Sequence, residues 1–243
     1  MNTPQVAIIG DGKMGSAIAQ MTQERGWQVS GMLDGAHNRD GAGITRRGLG
    51  DPDVVIEFTE PESAVANIMA CITERLPVVV GTTGWYDSLP MVTDAANEAG
   101  AALLWAPNFS VGVTLFVELA REAAKILAAA PDFSSHMIET HHSAKKDAPS
   151  GTAISIVKAM KDGFGHTIPV TSVRTGSVPG THELIFDGPF EQIMMRHEAR
   201  DRRVFADGAL RAAQWLIGKK GVYTMRDVLG FSALVAKVGG GER

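Results

Sequence analysis

An apolar run, Val6–Ile9, stops at a glycine, and the chain then reads Gly10-Asp11-Gly12-Lys13-Met14-Gly15 before a helix-like stretch begins. Few arrangements constrain a fold as tightly. The first glycine of such a GxGxxG run allows a tight turn out of a strand, the second lets an anionic ligand approach the backbone, and the third lets the helix pack close to the strand. The stretch that follows carries Met14, Ile18 and Met21 on one face, and Gly26 ends it. Unpaired N–H groups at the start of such a helix, together with its dipole, favour a phosphate. Gln28–Leu33 is a second strand-like run closed by Asp34. An acid about twenty residues after the glycines meets the ribose hydroxyls of a dinucleotide. The expectation is therefore a site for NADH or NADPH. Asp34 repels a 2′-phosphate and favours NADH. Lys13 and Arg39 are near enough in sequence to offset that repulsion, although Arg39 reads as a solvated loop charge, so both cofactors stay open.

Further apolar strands are predicted at Val54–Phe58, Pro77–Val80 and Leu103–Trp105, with helical stretches at Glu62–Thr73 and Leu89–Ala99. Apolar strands alternating with helices imply a parallel sheet covered on both faces. Residues 1–107 thus read as a doubly wound dinucleotide-binding domain. In open sheets of this kind, ligands lie in the crevice beyond the carboxyl ends of the strands. Three loops fall there: Phe58-Thr59, Gly81-Thr82-Thr83-Gly84 and Ala106-Pro107-Asn108-Phe109. The uncharged span 99–117 has the length of a membrane span, but Pro107-Asn108 and two glycines divide it into strand, loop and helix start. No membrane partner is expected.

Composition narrows the function. There are 23 Lys and Arg against 27 Asp and Glu, a net charge of -4. A mildly acidic chain is a poor general binder of nucleic acid. The single cysteine, Cys71, excludes an intrachain disulfide and a Cys-rich metal site. With no basic, then apolar, leader in MNTPQVAIIG, the expected location is the cytoplasm.

After Asn108 the texture changes. Val113–Ala129 reads as a long helix, Met137–Thr140 as a strand, Ala153–Lys161 as a helix, 170–205 as strand-like, and Ala209–Ile217 as a helix. Residues 108–208 are expected to form an α+β second domain, with about 209–243 returning to complete the first. The most polar segment is Glu139-Thr-His141-His142-Ser-Ala-Lys145-Lys146-Asp147-Ala-Pro149-Ser150-Gly151-Thr152. Adjacent histidines in extended chain point to opposite faces, so they are expected to serve different ends and are poorly spaced to chelate one ion. No third ligand is evident in sequence, and no metal is expected. Ser150-Gly151-Thr152 opens a helix, a natural seat for a carboxylate. Lys145, Lys146 and the histidines add positive charge, which would lower the pKa of a neighbouring lysine or histidine and help it give up a proton. The segment suits a small dicarboxylate.

These residues resemble the dihydrodipicolinate reductase family. The resemblance is carried by GDGKMG at 10–15, VVIEFTEP at 54–61, VGTTGW at 80–85, APNFSVGV at 106–113, ETHHSAKKDAPSGTA at 139–153, VRTGSVPGTHE at 173–183 and GVYTMRDVLG at 221–230. It implies a Rossmann-like domain plus a mixed-sheet domain that builds a homotetramer. It also implies hydride transfer from the nicotinamide to a cyclic unsaturated dicarboxylate, in lysine and diaminopimelate synthesis. Residue by residue, it makes His141 and Lys145 the acid/base pair and gives His142 and Gly151-Thr152 to the substrate. Cofactor contacts fall on Gly10–Gly15, Asp34, Gly81–Thr83 and Ala106–Phe109, and Tyr223 closes the cofactor site from the C-terminal side. Three other readings remain: another nicotinamide-dependent amino- or imino-acid dehydrogenase, a redox sensor without turnover, and a metal-assisted hydrolase built on the histidine pair.

Overall fold

A computed structural model describes residues 3–231; the predicted return of the chain beyond 231, and its glycine-rich tail, lie outside the described residues. The chain divides into two compact units, 1–109 with 205–243, and 110–204.

The first unit is a six-stranded, all-parallel sheet. Its strands are β1 (Gln5–Ile9), β2 (Gln28–Leu33), β3 (Val54–Glu57), β4 (Val78–Val80), β5 (Ala102–Trp105) and β10 (Gly221–Tyr223), in the order β10-β5-β4-β3-β1-β2. β1, β3 and β4 are almost wholly buried, so they read as unbroken apolar runs rather than alternating ones. Helices α1 (Lys13–Glu24), α2 (Pro61–Thr73) and α3 (Leu89–Ala99) form the crossovers. Val55, Val78, Val80 and Leu103 from the sheet pack with Ala64, Ile68 and Cys71 of α2 and Val92 and Ala96 of α3. The order reverses at β1, whose neighbours are β2 and β3, so the switch point of the sheet lies at the ends of β1 and β3.

Close backbone packing explains two of the glycines there. Gly10 has φ +104°, and a Cβ on it would lie 2.0 Å from the Phe58 carbonyl oxygen. A Cβ on Gly15 would lie 1.8 Å from the Gly10 carbonyl oxygen, so α1 can start this close to β1 only with hydrogen at that position.

The second unit is a four-stranded mixed sheet, β7-β6-β8-β9, formed by β6 (Ser134–His141), β7 (Val170–Arg174), β8 (Thr181–Asp187) and β9 (Gln192–Glu198). β6 runs parallel to β7 and antiparallel to β8. Helices α4 (Val111–Leu127) and α5 (Gly151–Phe164) pack together, and Phe116, Ala120, Ile156 and Met160 bury Met137, Leu184 and Phe186 of the sheet. Helix α6 (Arg203–Leu216) begins six residues before the Ala209 expected from sequence, so the strand-like segment ends earlier. Asp201 accepts the Arg203 N–H at 2.8 Å and supplies the start. A short α7 (Met225–Val228), held by a Thr224–Asp227 capping box, follows β10. Among the described residues no helix is long and apolar enough to cross a membrane.

Candidate active site

In the first unit the predicted cofactor residues gather at the carboxyl ends of the parallel strands. Gly10 leaves β1, its N–H bonded to the Leu33 carbonyl at 2.8 Å. Asp11, Gly12 and Lys13 are exposed, Met14 is half-buried and Gly15 is buried. Gly12 precedes α1 in extended backbone, and a Cβ there would meet nothing within 4 Å. No side chain caps that helix start and no acid lies in its first turn, which suits a pyrophosphate seated on its N–H groups. These features fit a dinucleotide.

The loops after β3, β4 and β5 are tied to one another. Thr59 donates its N–H to Thr82 Oγ at 2.7 Å, and the Thr82 carbonyl accepts the Trp85 indole N–H at 2.8 Å. Phe58 lies against Phe109, ring centres 5.8 Å apart, while Gly81 and Asn108 are half-buried, Ala106 is buried, and Thr83 and Pro107 are exposed. Beneath them is a buried carboxyl the sequence reading passed over. Glu57 accepts from the Thr59 hydroxyl and from Asn67 Nδ2, and Asn67 in turn accepts from Asn38. Burial pushes the Glu57 carboxyl up, against the pull of its Thr59, Thr82 and Asn67 donors.

Asp34 follows β2, and its Oδ1 accepts both the backbone N–H and the ring nitrogen of His37 at 2.8 Å. Those bonds hold its carboxyl below the usual range. His37, three residues on, is thus a hydrogen-bonded neighbour of Asp34 that sequence reasoning missed. Its signal was the Asp–His spacing alone. Tyr223 ends β10 beside Leu104, packs edge-on against Trp215, and donates its hydroxyl to the Lys220 carbonyl at 2.5 Å.

In the second unit the polar segment is partly strand. His141 is the last residue of β6 and is buried, whereas His142 lies outside the strand and is half-buried. Glu139, two residues earlier on the same face, is fully buried. It accepts from His141 Nδ1, from the Ser150 N–H at 3.3 Å and from Arg174 Nη2 at 2.6 Å. Burial alone would raise the Glu139 carboxyl, but Arg174, Ser172 and His141 outweigh it and hold the pKa at about 2. Strand register brings these groups together: Glu139 pairs with Ser172 of β7 and with His182 of β8, and His141 pairs with Arg174. His182 packs edge-on to His141 at 5.2 Å, with Nε2 3.4 Å from Ser150 Oγ. Glu139, His141 and His182 also offer three ligand atoms within 4.8 Å of one another, the third ligand that the sequence did not reveal. The carboxylate there is already shared by a guanidinium, an amide and an imidazole. The cluster therefore reads as a polar network.

Lys145 is half-buried with Nζ 2.7 Å from Asp147 Oδ1, and Lys146 is exposed. Lys145 holds the Asp147 carboxyl below its usual range. Glu139 and Asp147 balance much of the positive charge that the lysines add to the segment. The His141 pKa is lowered, but burial is the main cause and the nearby Lys145 and Arg174 are minor ones. Ser150 is the N-cap of α5: its buried hydroxyl accepts the Ala153 N–H at 3.2 Å. The exposed start of the helix is presented by Gly151, with Thr152 half-buried.

A parallel dinucleotide-binding sheet joined to a mixed-sheet unit carrying a His–Lys–carboxylate cluster defines a two-unit oxidoreductase of the nicotinamide-dependent class. Comparison with known proteins narrows the class. Residues 4–109 match the family model for the N-terminus of dihydrodipicolinate reductase, and 112–229 match the model for its C-terminus. The 4-hydroxy-tetrahydrodipicolinate reductase of Christiangramia forsetii is 34% identical over 238 residues, covering 92% of this chain and 97% of that one. The protein of the same name from Methanoregula boonei is 40% identical over 195 residues, 74% of this chain and 75% of its own. The fold matches that of a dipicolinate-bound dihydrodipicolinate reductase from a Paenisporosarcina species, with TM-score 0.76, 24% identity and coverage of 93% and 99%. The chain belongs to the dihydrodipicolinate reductase family.

Proposed function

We infer that the chain reduces 4-hydroxy-tetrahydrodipicolinate to tetrahydrodipicolinate, a step of lysine and diaminopimelate synthesis. The observation that carries this reading is the match of both family models along one chain, with ETHHSAKKDAPSGTA placed on a strand end and a helix start. When bound, a nicotinamide cofactor held by the glycine turn and the loops after β3, β4 and β5 would supply the hydride that a ring carbon of the substrate receives.

The residues supply the rest. Gly10, Asp11, Gly12, Lys13, Met14 and Gly15 seat the pyrophosphate, and Asp34 takes the adenine-side ribose. Phe58, Thr59, Gly81, Thr82, Thr83, Ala106, Pro107, Asn108, Phe109 and Tyr223 line the nicotinamide side. One carboxylate of the diacid meets Gly151 and Thr152 at the start of α5, which Ser150 holds in place by capping, and His142 contacts the ring. Lys145 Nζ, oriented by Asp147, delivers the proton to the carbon beside the one that receives hydride, and His141 is the basic partner of the pair. No metal takes part, because the Glu139 oxygens are committed to other donors.

Asp34 favours NADH, and the His37 ring bonded to its Oδ1 takes up part of the carboxylate that would otherwise face a 2′-phosphate, so the chain accepts both cofactors with NADH ahead. A homotetramer built through the second unit is supported by exposed apolar residues on its sheet: Val173 of β7, and Ile193 and Met194 of β9. The single cysteine suits a cytoplasmic enzyme.

The test is a coupled assay with freshly made substrate that follows NADH and NADPH loss separately, with pyridine-2,6-dicarboxylate as inhibitor and light scattering for the assembly. Turnover with NADH ahead, competitive inhibition and a mass of four chains are expected. No turnover with either cofactor would overturn the assignment.

A further inference from the structure

The acid/base histidine and the carboxylate seat lie on different elements, the end of β6 and the start of α5, and one side chain bonds to both. Glu139 is fully buried at the middle of this arrangement. One of its oxygens, Oε2, meets His141 Nδ1. The other, Oε1, takes the Ser150 N–H at 3.3 Å and Arg174 Nη2 at 2.6 Å. Ser150 in turn caps α5, and Arg174 also donates to the Asp147 carbonyl at 2.6 Å. A carboxylate is an acceptor only, so the ring nitrogen that faces it must carry hydrogen. The opposite nitrogen, Nε2, is directed at Gly180, where a Cβ would come within 3.0 Å of it.

We propose that Glu139 is a positioning residue, which fixes His141 as the Nδ1–H tautomer and, by holding the Ser150 N–H with its other oxygen, registers the imidazole ring with the helix start that seats the substrate carboxylate. The inference rests on the reading of His141 and of α5 given above. The donor set explains why a carboxylate is required. Three donors from three elements converge on it, and an amide of the same size has one acceptor oxygen to offer them. Its amino group would face a donor, so at least one bond is lost. Arg174 supplies the counter-charge that keeps the buried carboxylate ionised. The neighbouring groups that also bear on the His141 ring are His182, Lys145 and Arg174.

The test is Glu139→Gln, read in two ways. Nitrogen-detected NMR of labelled histidine rings, with the His141 signals assigned by their loss in His141→Gln, reports which nitrogen carries hydrogen. At mildly alkaline pH, where the ring is neutral, the wild-type chain is expected to show His141 protonated on Nδ1. Glu139→Gln is expected to shift it to a mixture or to Nε2–H, and Glu139→Asp to shift it partway. Turnover with the diacid is expected to fall on the order of 10²-fold in kcat while NADH affinity holds. Arg174→Met, which removes the counter-charge but not the contact to His141, should lower stability and leave the tautomer in place. A folded Glu139→Gln chain that keeps the Nδ1–H tautomer overturns the proposal, even if its melting temperature drops. Where Glu139→Gln does not fold, a wild-type His141 protonated on Nε2 overturns it just as well. The tautomer is read without catalysis. A chain that shows the shift but turns over none of the diacid refutes the assigned reaction and supports the role of Glu139; turnover without the shift does the reverse.

Discussion

His182 is a histidine that the fold keeps neutral, and acid should act on the protein through it. The residue is 3% exposed, and its Nδ1 has no hydrogen-bond partner among the described residues. Burial lowers its pKa from 6.5 to about 4, with the nearby His141 and His197 adding to the effect, Glu139 opposing it and Lys145 lowering it slightly. A proton arriving on Nδ1 would place a buried charge with no acceptor. In the unfolded chain the ring takes its proton near pH 6.5, whereas in the folded chain it does so only near pH 4. Between those values the unfolded state binds more protons, so stability is greatest above 6.5 and falls as pH drops toward 4. For one site, integration gives a loss of about 1 kcal/mol by pH 5.5 and about 2 kcal/mol by pH 4.5, relative to pH 7. Other groups titrate in the same range, so the difference from His182→Gln isolates the term. Glutamine can still face Ser150 Oγ but cannot charge. Urea unfolding of both chains at several pH values provides the measurement, with pH 7 as the reference. The wild type should lose about 2 kcal/mol more than the variant by pH 4.5. Parallel pH profiles for the two chains would refute the argument.

Three further outcomes are expected. Lys145→Ala should cut turnover on the order of 10²- to 10⁴-fold with NADH affinity nearly unchanged, and steady-state rates near wild type would remove Lys145 from the chemistry. Asp34→Ala should weaken NADH more than NADPH in fluorescence titrations, because the carboxylate favours a free ribose and opposes a phosphate; equal losses would count against the ribose contact. Gly15→Ala forces a Cβ to within 1.8 Å of the Gly10 carbonyl oxygen. It should cost about 1–3 kcal/mol in thermal or urea unfolding and weaken dinucleotide binding at least about tenfold, and a chain with wild-type affinity would show that the helix start is free to move.

Much of the first unit is legible in the sequence because its signals are local. A strand buried on both faces reads as an apolar run, and GxGxxG marks the turn into α1 by the sizes of its side chains. β2 and α3 have the bounds their residues predict. Errors arise where a local cue was subtle. The start of α6 depends on Asp201, and the strand-like composition up to Phe205 conceals it. The Asp–His contact at Asp34 depends on a spacing that many exposed pairs share.

In the second unit the sequence by itself determined which chemical groups are present: two histidines, two lysines and a serine-capped helix start on one short segment. It could not say which of them are buried or paired. Tertiary structure decided that, through strand register. Pairing β6 with β7 and β8 brings Arg174 and His182, both distant in sequence, to Glu139 and His141. Burial and hydrogen bonding then set the charge of each group, and these depend on which atoms surround it after the chain has folded. A residue type carries its chemistry into any sequence, but its proton affinity and its aim belong to its neighbours.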